Sequence, residues 1–320
     1  MDKKLTVIVP LIRDDLVERM LETLYEYTPP GTFYVYLIDQ TIHGVNATQL
    51  RNKYRNLMVI RTPKSDVHYT GNLGFAKATN TGIRLVETPY FMMCNDDVEF
   101  IHPAWLDGVW ETYRLVEKAT PTTPAMIVNP ASVRLADWSV GRASGDDFDI
   151  IPYKNKYTEE DWRHLTEDPL YINEHLTIQP GSVIDGVTMY ASVVDTEKFL
   201  RVGYLDEKYF EGAGEDYDYS CLARMHGYRC VGTTLSWVWH HWSSTFKSMR
   251  DEEEIRSLRI PELQWNQNHE KWGKNFDIWG VKCSQCDNRL EIKGDYDTIA
   301  ICPEHPDEKY QVPPQTKIPL

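Results

Sequence analysis

The chain has 320 residues, 42% of them hydrophobic, and a formal net charge of −14. That length holds one large α/β domain or two smaller ones, with enough apolar content for a sizeable core. The acidic balance argues against broad contact with nucleic acid or an anionic membrane, and no apolar run reaches the roughly 18 residues of a membrane span.

Met1-Asp2-Lys3-Lys4 runs straight into an apolar segment without a signal-peptide cleavage pattern, so a soluble, cytoplasmic protein is expected. Leu5-Thr6-Val7-Ile8-Val9-Pro10 reads as a buried strand, and Leu16, Met20, Leu21, Leu24 and Tyr27 follow at helical spacing. A second strand, Phe33 to Asp39, ends in a carboxylate. A third, Leu57 to Arg61, precedes a Gly/Asn-rich loop and a helix from about Gly74 to Val86. Pro89 separates that helix from the strand Tyr90 to Cys94, which ends in Asn95-Asp96-Asp97. The polar, aromatic stretch 134–180 has weak periodicity and reads as loops and short helices. Regularity resumes at Val187 to Val194, with a helix near Glu215 to His226 and a strand near Leu235 to Trp239. This alternation predicts a Rossmann-like α/β fold, a mostly parallel sheet with helices on both faces, over residues 1–275. Ligands of such sheets lie at the carboxyl ends of strands, where Asp39, Asp96 and Asp97 fall.

Four stretches carry chemistry. Asn95-Asp96-Asp97 on a strand end suits a hard cation such as Mg²⁺ or Mn²⁺ shared with nucleotide phosphates, although a turn with solvated acids has the same composition. In Asn72-Leu73-Gly74-Phe75-Ala76 and Asn80-Thr81-Gly82-Ile83, a glycine opens a helix and two asparagines can donate to a nucleotide or organise the loop. Gly212-Ala213-Gly214-Glu215-Asp216-Tyr217-Asp218 sets three acids at a helix start, as dipole-favoured caps or as a general base for a hydroxyl. In His240-His241-Trp242-Ser243-Ser244 an imidazole can serve as a third metal ligand or a diphosphate donor, or pack in the core.

Taken in order, Ile8-Val9-Pro10, Asp39, the two glycine-containing stretches, Asn95-Asp96-Asp97, Val202 to Phe210, Glu215 to Asp218, His226-Gly227-Tyr228 and His241 resemble the family-2 glycosyltransferases and their GT-A relatives. The resemblance covers about the first 275 residues. It implies a GT-A fold and a metal-dependent, inverting transfer of a hexose or similar sugar from a nucleoside-diphosphate sugar, UDP-type, to a hydroxyl acceptor such as a glycan. It implies a nucleotide-sugar site at Pro10, Asp39, Asn72, Gly74, Asn80, Asn95 and Asp96, with Asp39 at the base and ribose. Asp97 and His241 would hold Mn²⁺ or Mg²⁺, Asp216 would be the base, and Glu215 would orient it. Two departures stand out: Asn95 occupies the place of the first acid in a DxD motif, and Gln40-Thr41 follows Asp39 in place of the commoner Asn/Asp-Gly/Ser turn.

Residues 276–320 form a separate small module. Cys283-Ser284-Gln285-Cys286 and Cys302-Pro303-Glu304-His305 give C-x₂-C and C-x₂-H, the spacing of a structural Zn²⁺ ribbon in a reducing compartment. The module's acids outnumber its bases, which does not suit a nucleic-acid reader. Acceptor-side residues are expected among Trp138, Trp162, Tyr153, Tyr157, Asp185 and Gly186. Three other functions share parts of this pattern: transfer to hydroxymethylated bases of DNA, nucleotidyl transfer, and non-catalytic sugar binding or scaffolding. Leu11-Ile12-Arg13-Asp14-Asp15 lacks the glycine-rich basic loop that nucleotidyl transfer needs.

Overall fold

The structure, a computed structural model, describes residues 5–12, 14–29, 31–41, 43–62, 73–132, 149–151, 183–185, 189–209, 214–241, 267–273, 276–277, 280–286, 288–292 and 299–312. Asn72, Trp138, Tyr153, Tyr157, Trp162 and Gly186 therefore lie outside the described residues. No helix among the described residues is long and apolar enough to cross a membrane.

The first half alternates as its sequence predicts, with one helix, α2, that the sequence reading does not expect. β1 (Leu5–Leu11), α1 (Asp14–Tyr27), β2 (Phe33–Asp39), α2 (Ala47–Lys53), β3 (Leu57–Arg61), α3 (Phe75–Ile83) and β4 (Tyr90–Cys94) make a parallel block ordered β3-β2-β1-β4. The remaining elements of the large sheet are β5 (Val98–Phe100), α4 (Trp105–Ala119), β6 (Ala125–Ala131), β7 (Asp149–Ile151), β8 (Val183–Asp185), β9 (Ala191–Asp195), α5 (Thr196–Val202), α6 (Glu215–Met225) and β10 (Arg229–His240). β9 lies between β4 and β6 and runs antiparallel to both, whereas β6 and β10 run with β4. Parallel neighbours need a crossover that returns the chain to the starting edge. The chain reaches β9 at Tyr190, already beside Asn95 at the far edge (Asn95 N donates to Tyr190 O, 2.8 Å), so it enters in the opposite sense.

Alternate residues divide the core. Val7, Val9, Val35, Leu37, Met92, Val128 and Val193 meet α1 and α4, while Ile8, Ile38, Phe91, Met93, Ile127 and Val194 meet α3, α5 and α6. Two glycines set how closely helices seat. A Cβ on Gly82 of α3 would lie 2.4 Å from Ile8 Cγ2, and one on Gly108 of α4 would lie 2.0 Å from the Leu235 carbonyl oxygen. That approach accompanies a break in the pairing of β10 with β6 between Thr233 and Trp237. β10 thus begins six residues before the strand expected at Leu235, its polar Gly232-Thr233-Thr234 centre hiding the start.

The tail adds β11 (Phe276–Asp277), β12 (Gly280–Val281), β13 (Glu291–Ile292), β14 (Ile299–Ile301) and β15 (Lys309–Gln311). The sequence marks 276–320 as a module apart. Its apolar residues Val281, Leu290, Ala300 and Val312 nevertheless join the same buried cluster as Leu222, Ala223 and Met225 of α6.

Candidate active site

β1, β2, β4 and β10 run one way, so Leu11, Asp39, Cys94 and His240 all end at one edge of the sheet. α6 packs on β10 and feeds it through a short turn at Gly227, entering β10 at the opposite edge. The amino end of α6, with Glu215 and Asp216, therefore points back toward the edge where Asn95-Asp96-Asp97 lies. Pro10, paired with Ile38, and Gly74, the α3 N-cap with φ 80°, border that edge too.

Asp96 and Asp97 are buried in the turn after β4. Asp97 Oδ1 lies 3.1 Å from His240 Nε2, and Asn95 Nδ2 lies 3.2 Å from the same nitrogen. Tyr190 stacks on the His240 ring, with centroids 4.8 Å apart. The His241 ring pairs elsewhere: its Nε2 meets Glu99 Oε1 at 2.7 Å, Glu99 holds Arg19, and the His241 backbone N–H donates to the Asp97 carbonyl (3.0 Å). The imidazole at the Asp97 carboxylate is thus His240, one residue before the histidine singled out from sequence. Glu99 pushes the His241 pKa up. Alternation along β10 sends neighbouring side chains to opposite faces, a signal available in the sequence but unusable until the strand's phase is known.

Gly214 caps α6 with φ 97° and ψ −8°, a left-handed conformation that glycine adopts without strain. Glu215 is buried, and its Oε2 has no hydrogen-bond partner among the described residues. Asp216 is half-buried and its Oδ1 accepts from Tyr217 N at 2.8 Å. Burial pushes both carboxyls above their ordinary range, and the neighbouring Asp216 charge pushes Glu215 further.

Beneath them lies a polar cluster that the sequence does not announce. Asp218 Oδ1 accepts from Trp272 Nε1 (2.6 Å) and pairs with Lys271 Nζ (2.7 Å), which also pairs with Asp206 Oδ2 (2.8 Å). Asn268 accepts from the Tyr209 hydroxyl (2.7 Å) and donates to Gly214 O (3.3 Å). Nothing in the composition around residues 267–272 distinguishes Asn268, Lys271 and Trp272 from an ordinary amphipathic helix end.

At the other side, the buried Asp39 carboxylate accepts from Thr41 N and Oγ1 (2.9 and 2.7 Å), from Val45 N (3.0 Å) and from Arg61 (2.9 Å). Burial raises its pKa, but these hydrogen bonds outweigh that and hold it below the ordinary value. Gln40 is buried beside it. Its Oε1 accepts from Leu73 N at 2.8 Å, and its Nε2 has no hydrogen-bond partner among the described residues. Asn80, expected at the nucleotide or as a loop organiser, ties α3 to the loop before α6: it donates to Leu205 O (2.9 Å) and Glu207 (3.1 Å) and accepts from Leu205 N (3.2 Å). Asp185 closes β8, whose backbone pairs with Val231, in the outer part of the sheet.

In the tail, one ligand atom from each of Cys283, Cys286, Cys302 and His305 lies within 4.8 Å of the others. Among the described residues this is the group of three or more His, Cys, Asp or Glu side chains arranged to hold a metal ion.

No protein-family model matches this sequence, and no curated protein matches it. Solved structures do match. The mannosyltransferase PcManGT from Pyrobaculum calidifontis, in complex with GDP-Man and Mn²⁺, is similar over 83% of this chain and 64% of its own, at 15% identity and TM-score 0.51. GalNAc-T7 with UDP, GalNAc and Mn²⁺ matches over 74% of this chain and 43% of its own, at 14% identity and TM-score 0.47. S. aureus TarS 1-349 matches over 83% and 72%, at 15% and 0.45. The fold is that of the GT-A glycosyltransferases, and this chain spans 64% of the length of PcManGT.

Proposed function

We propose that the protein is a glycosyltransferase that moves a sugar from a nucleoside-diphosphate sugar to a hydroxyl acceptor such as a glycan, with inversion at the anomeric carbon. What supports this reading is direction: β4, which leads into Asp96-Asp97, runs toward the same sheet edge that the amino end of α6, with Glu215-Asp216, points to. Asp216 takes the proton of the acceptor hydroxyl. The oxygen forms its bond to the anomeric carbon as the bond to the phosphate oxygen breaks, and the nucleoside diphosphate departs with the electron pair. Glu215, protonated through burial, keeps a second negative charge away from that base.

The Asp97 carboxylate and the His240 imidazole, 3.1 Å apart, offer two ligands to Mn²⁺ or Mg²⁺, with Asn95 steadying the ring and phosphate oxygens of the donor completing the shell. Bound there, such a cation supplies charge neutralisation to the leaving diphosphate. The mannosyltransferase structure holds Mn²⁺ with its nucleotide sugar, which favours the same pairing here. The Gln40 amide supports a base that offers a carbonyl oxygen, uracil or guanine, because a buried N–H left unpaired costs about 1–3 kcal/mol and a carbonyl acceptor relieves it. Tail thiolates suited to zinc fit a reducing compartment such as the cytoplasm.

The test is incubation of the purified protein with Mn²⁺ and a panel of UDP- and GDP-sugars, with and without acceptors, measuring released nucleoside diphosphate. Release that depends on Mn²⁺ and disappears in Asp97→Ala and in folded Asp216→Asn is expected. Near-normal turnover in Asp216→Asn removes it as the base.

A further inference from the structure

We infer that Cys283, Cys286, Cys302 and His305 bind one Zn²⁺ and that this ion acts as a clasp on α6, positioning Asp216. The role given to Asp216 rests on the glycosyltransferase reading; the metal site and the clasp rest on geometry alone.

Three of the six ligand-to-ligand distances match zinc, and all six lie within 4.8 Å. Cys286 Sγ and Cys302 Sγ are 3.6 Å apart, and His305 Nδ1 lies 3.6 Å from Cys283 Sγ and 3.8 Å from Cys302 Sγ. A tetrahedral ion with Zn–S of about 2.3 Å and Zn–N of about 2.0–2.1 Å produces ligand edges of about 3.6–3.8 Å. The knuckle is supported as such sites require: Gln285 N donates to Cys283 Sγ (3.4 Å), while Glu308 accepts from Ser284 N (2.8 Å) and Gln285 Nε2 (3.2 Å). With four protein ligands no position stays open for water, so the ion is structural.

The tail's strands are two or three residues long, too little chain to bury a core of its own, so metal binding supplies its folding energy. Where that energy goes is visible in the packing. Val281, Cys283, Leu290, Ala300, Cys302 and Val312 are buried in one cluster with Tyr219, Leu222 and Met225 of α6. A polar path runs alongside. The Tyr310 hydroxyl on β15 donates to Trp272 O (2.8 Å), Trp272 Nε1 donates to Asp218, and Lys271 bridges Asp218 to Asp206. Asp218 sits two residues beyond Asp216, and its N–H closes the first α6 turn onto Gly214 O (3.0 Å). Holding Asp218 and Gly214 from below fixes where Asp216 points. The hydrogen bonds and ion pairs of this path among the described residues do not include Asp39 or Gln40, so nucleotide binding should be indifferent to it.

Two variants test the clasp: Cys286→Ser, which removes a ligand, and Tyr310→Phe, which keeps all four. Zinc content, amide exchange of α6, affinity for UDP and GDP with Mn²⁺, and kcat and KM would be measured on the full chain. Wild type should carry one zinc. Tyr310→Phe should keep it, bind nucleotide as wild type does, exchange the amides from Asp218 onward about fivefold faster, the effect of about one net hydrogen bond, and lose kcat with KM unchanged. Cys286→Ser should lose zinc and show a larger exchange effect over the same amides. Zinc-free wild type, or unchanged α6 exchange after zinc loss, overturns the clasp. A fall in nucleotide affinity matching the fall in kcat overturns it as well, because the effect would then be general unfolding. Should wild type turn over no donor, the glycosyltransferase reading fails, while metal content and exchange still decide the clasp.

Discussion

Replacing Lys271 with methionine should destabilise the protein in a pH-dependent way. The ammonium lies 2.8 Å from Asp206 and 2.7 Å from Asp218, and the three side chains are 13%, 6% and 0% exposed. Removing one member of a buried ion pair typically costs about 3–5 kcal/mol, because the remaining charge stays desolvated. Here each carboxylate keeps one donor, Trp272 Nε1 for Asp218 and Lys208 N for Asp206, so the lower end, about 3 kcal/mol, is expected. Burial raises the Asp218 pKa above its ordinary 3.8 while Lys271 and Trp272 oppose the rise. A carboxyl raised in the folded state stabilises most below its unfolded pKa, and that contribution is lost as pH climbs through the folded value. Without Lys271 the folded value moves higher, and the lost portion grows. Urea denaturation of wild type and Lys271→Met at two pH values, one near the ordinary carboxyl value and one near neutrality, should therefore show a deficit that is smaller at the lower pH and widens as pH rises. Equal deficits at both pH values, or a deficit under about 1 kcal/mol at the higher one, would refute a buried ion bridge.

Gly108→Ala places a methyl 2.0 Å from the Leu235 carbonyl oxygen and should lose at least about 1–3 kcal/mol in thermal or chemical denaturation; wild-type stability would mean that α4 does not seat on β10 as described. His240→Ala should lower Mn²⁺ affinity about 10–100-fold, and His241→Ala several-fold less, in metal titrations of turnover; the reverse order would return the metal-side role to His241. Because burial raises the Asp216 carboxyl, its base form is lost as pH falls through a value above the ordinary 3.8, and kcat should show an acid limb there. A pH profile flat down to that ordinary value would contradict the assignment.

Much of this protein is legible along the chain. The apolar runs at Leu5, Phe33, Leu57 and Tyr90 coincide with β1 to β4: β1 and β4, buried on both faces, must be apolar throughout, and the partly exposed β2 and β3 keep apolar runs of their own. Glu215 opens α6 as its glycine-acid signature implies, and the Cys and His spacing locates the tail cluster. α2, α4 and β6 fall in stretches where the expected elements leave gaps, although α4 buries Trp105, Val109, Thr112 and Val116 at ordinary helical spacing.

Local chemistry determined which segments become strands and helices, and which residue types could hold a metal or move a proton, since propensity, periodicity and ligand spacing are properties of near neighbours. Direction and partnership came only with the tertiary structure. The antiparallel entry of β9, the turn of His240 rather than His241 toward Asp97, the joining of Lys271 to Asp206 and Asp218, and the seating of the tail on α6 each unite residues distant in sequence. Their physical reason is common to all four: a buried charge or apolar face is satisfied by whatever the fold brings against it, and no window of neighbouring residues contains that partner.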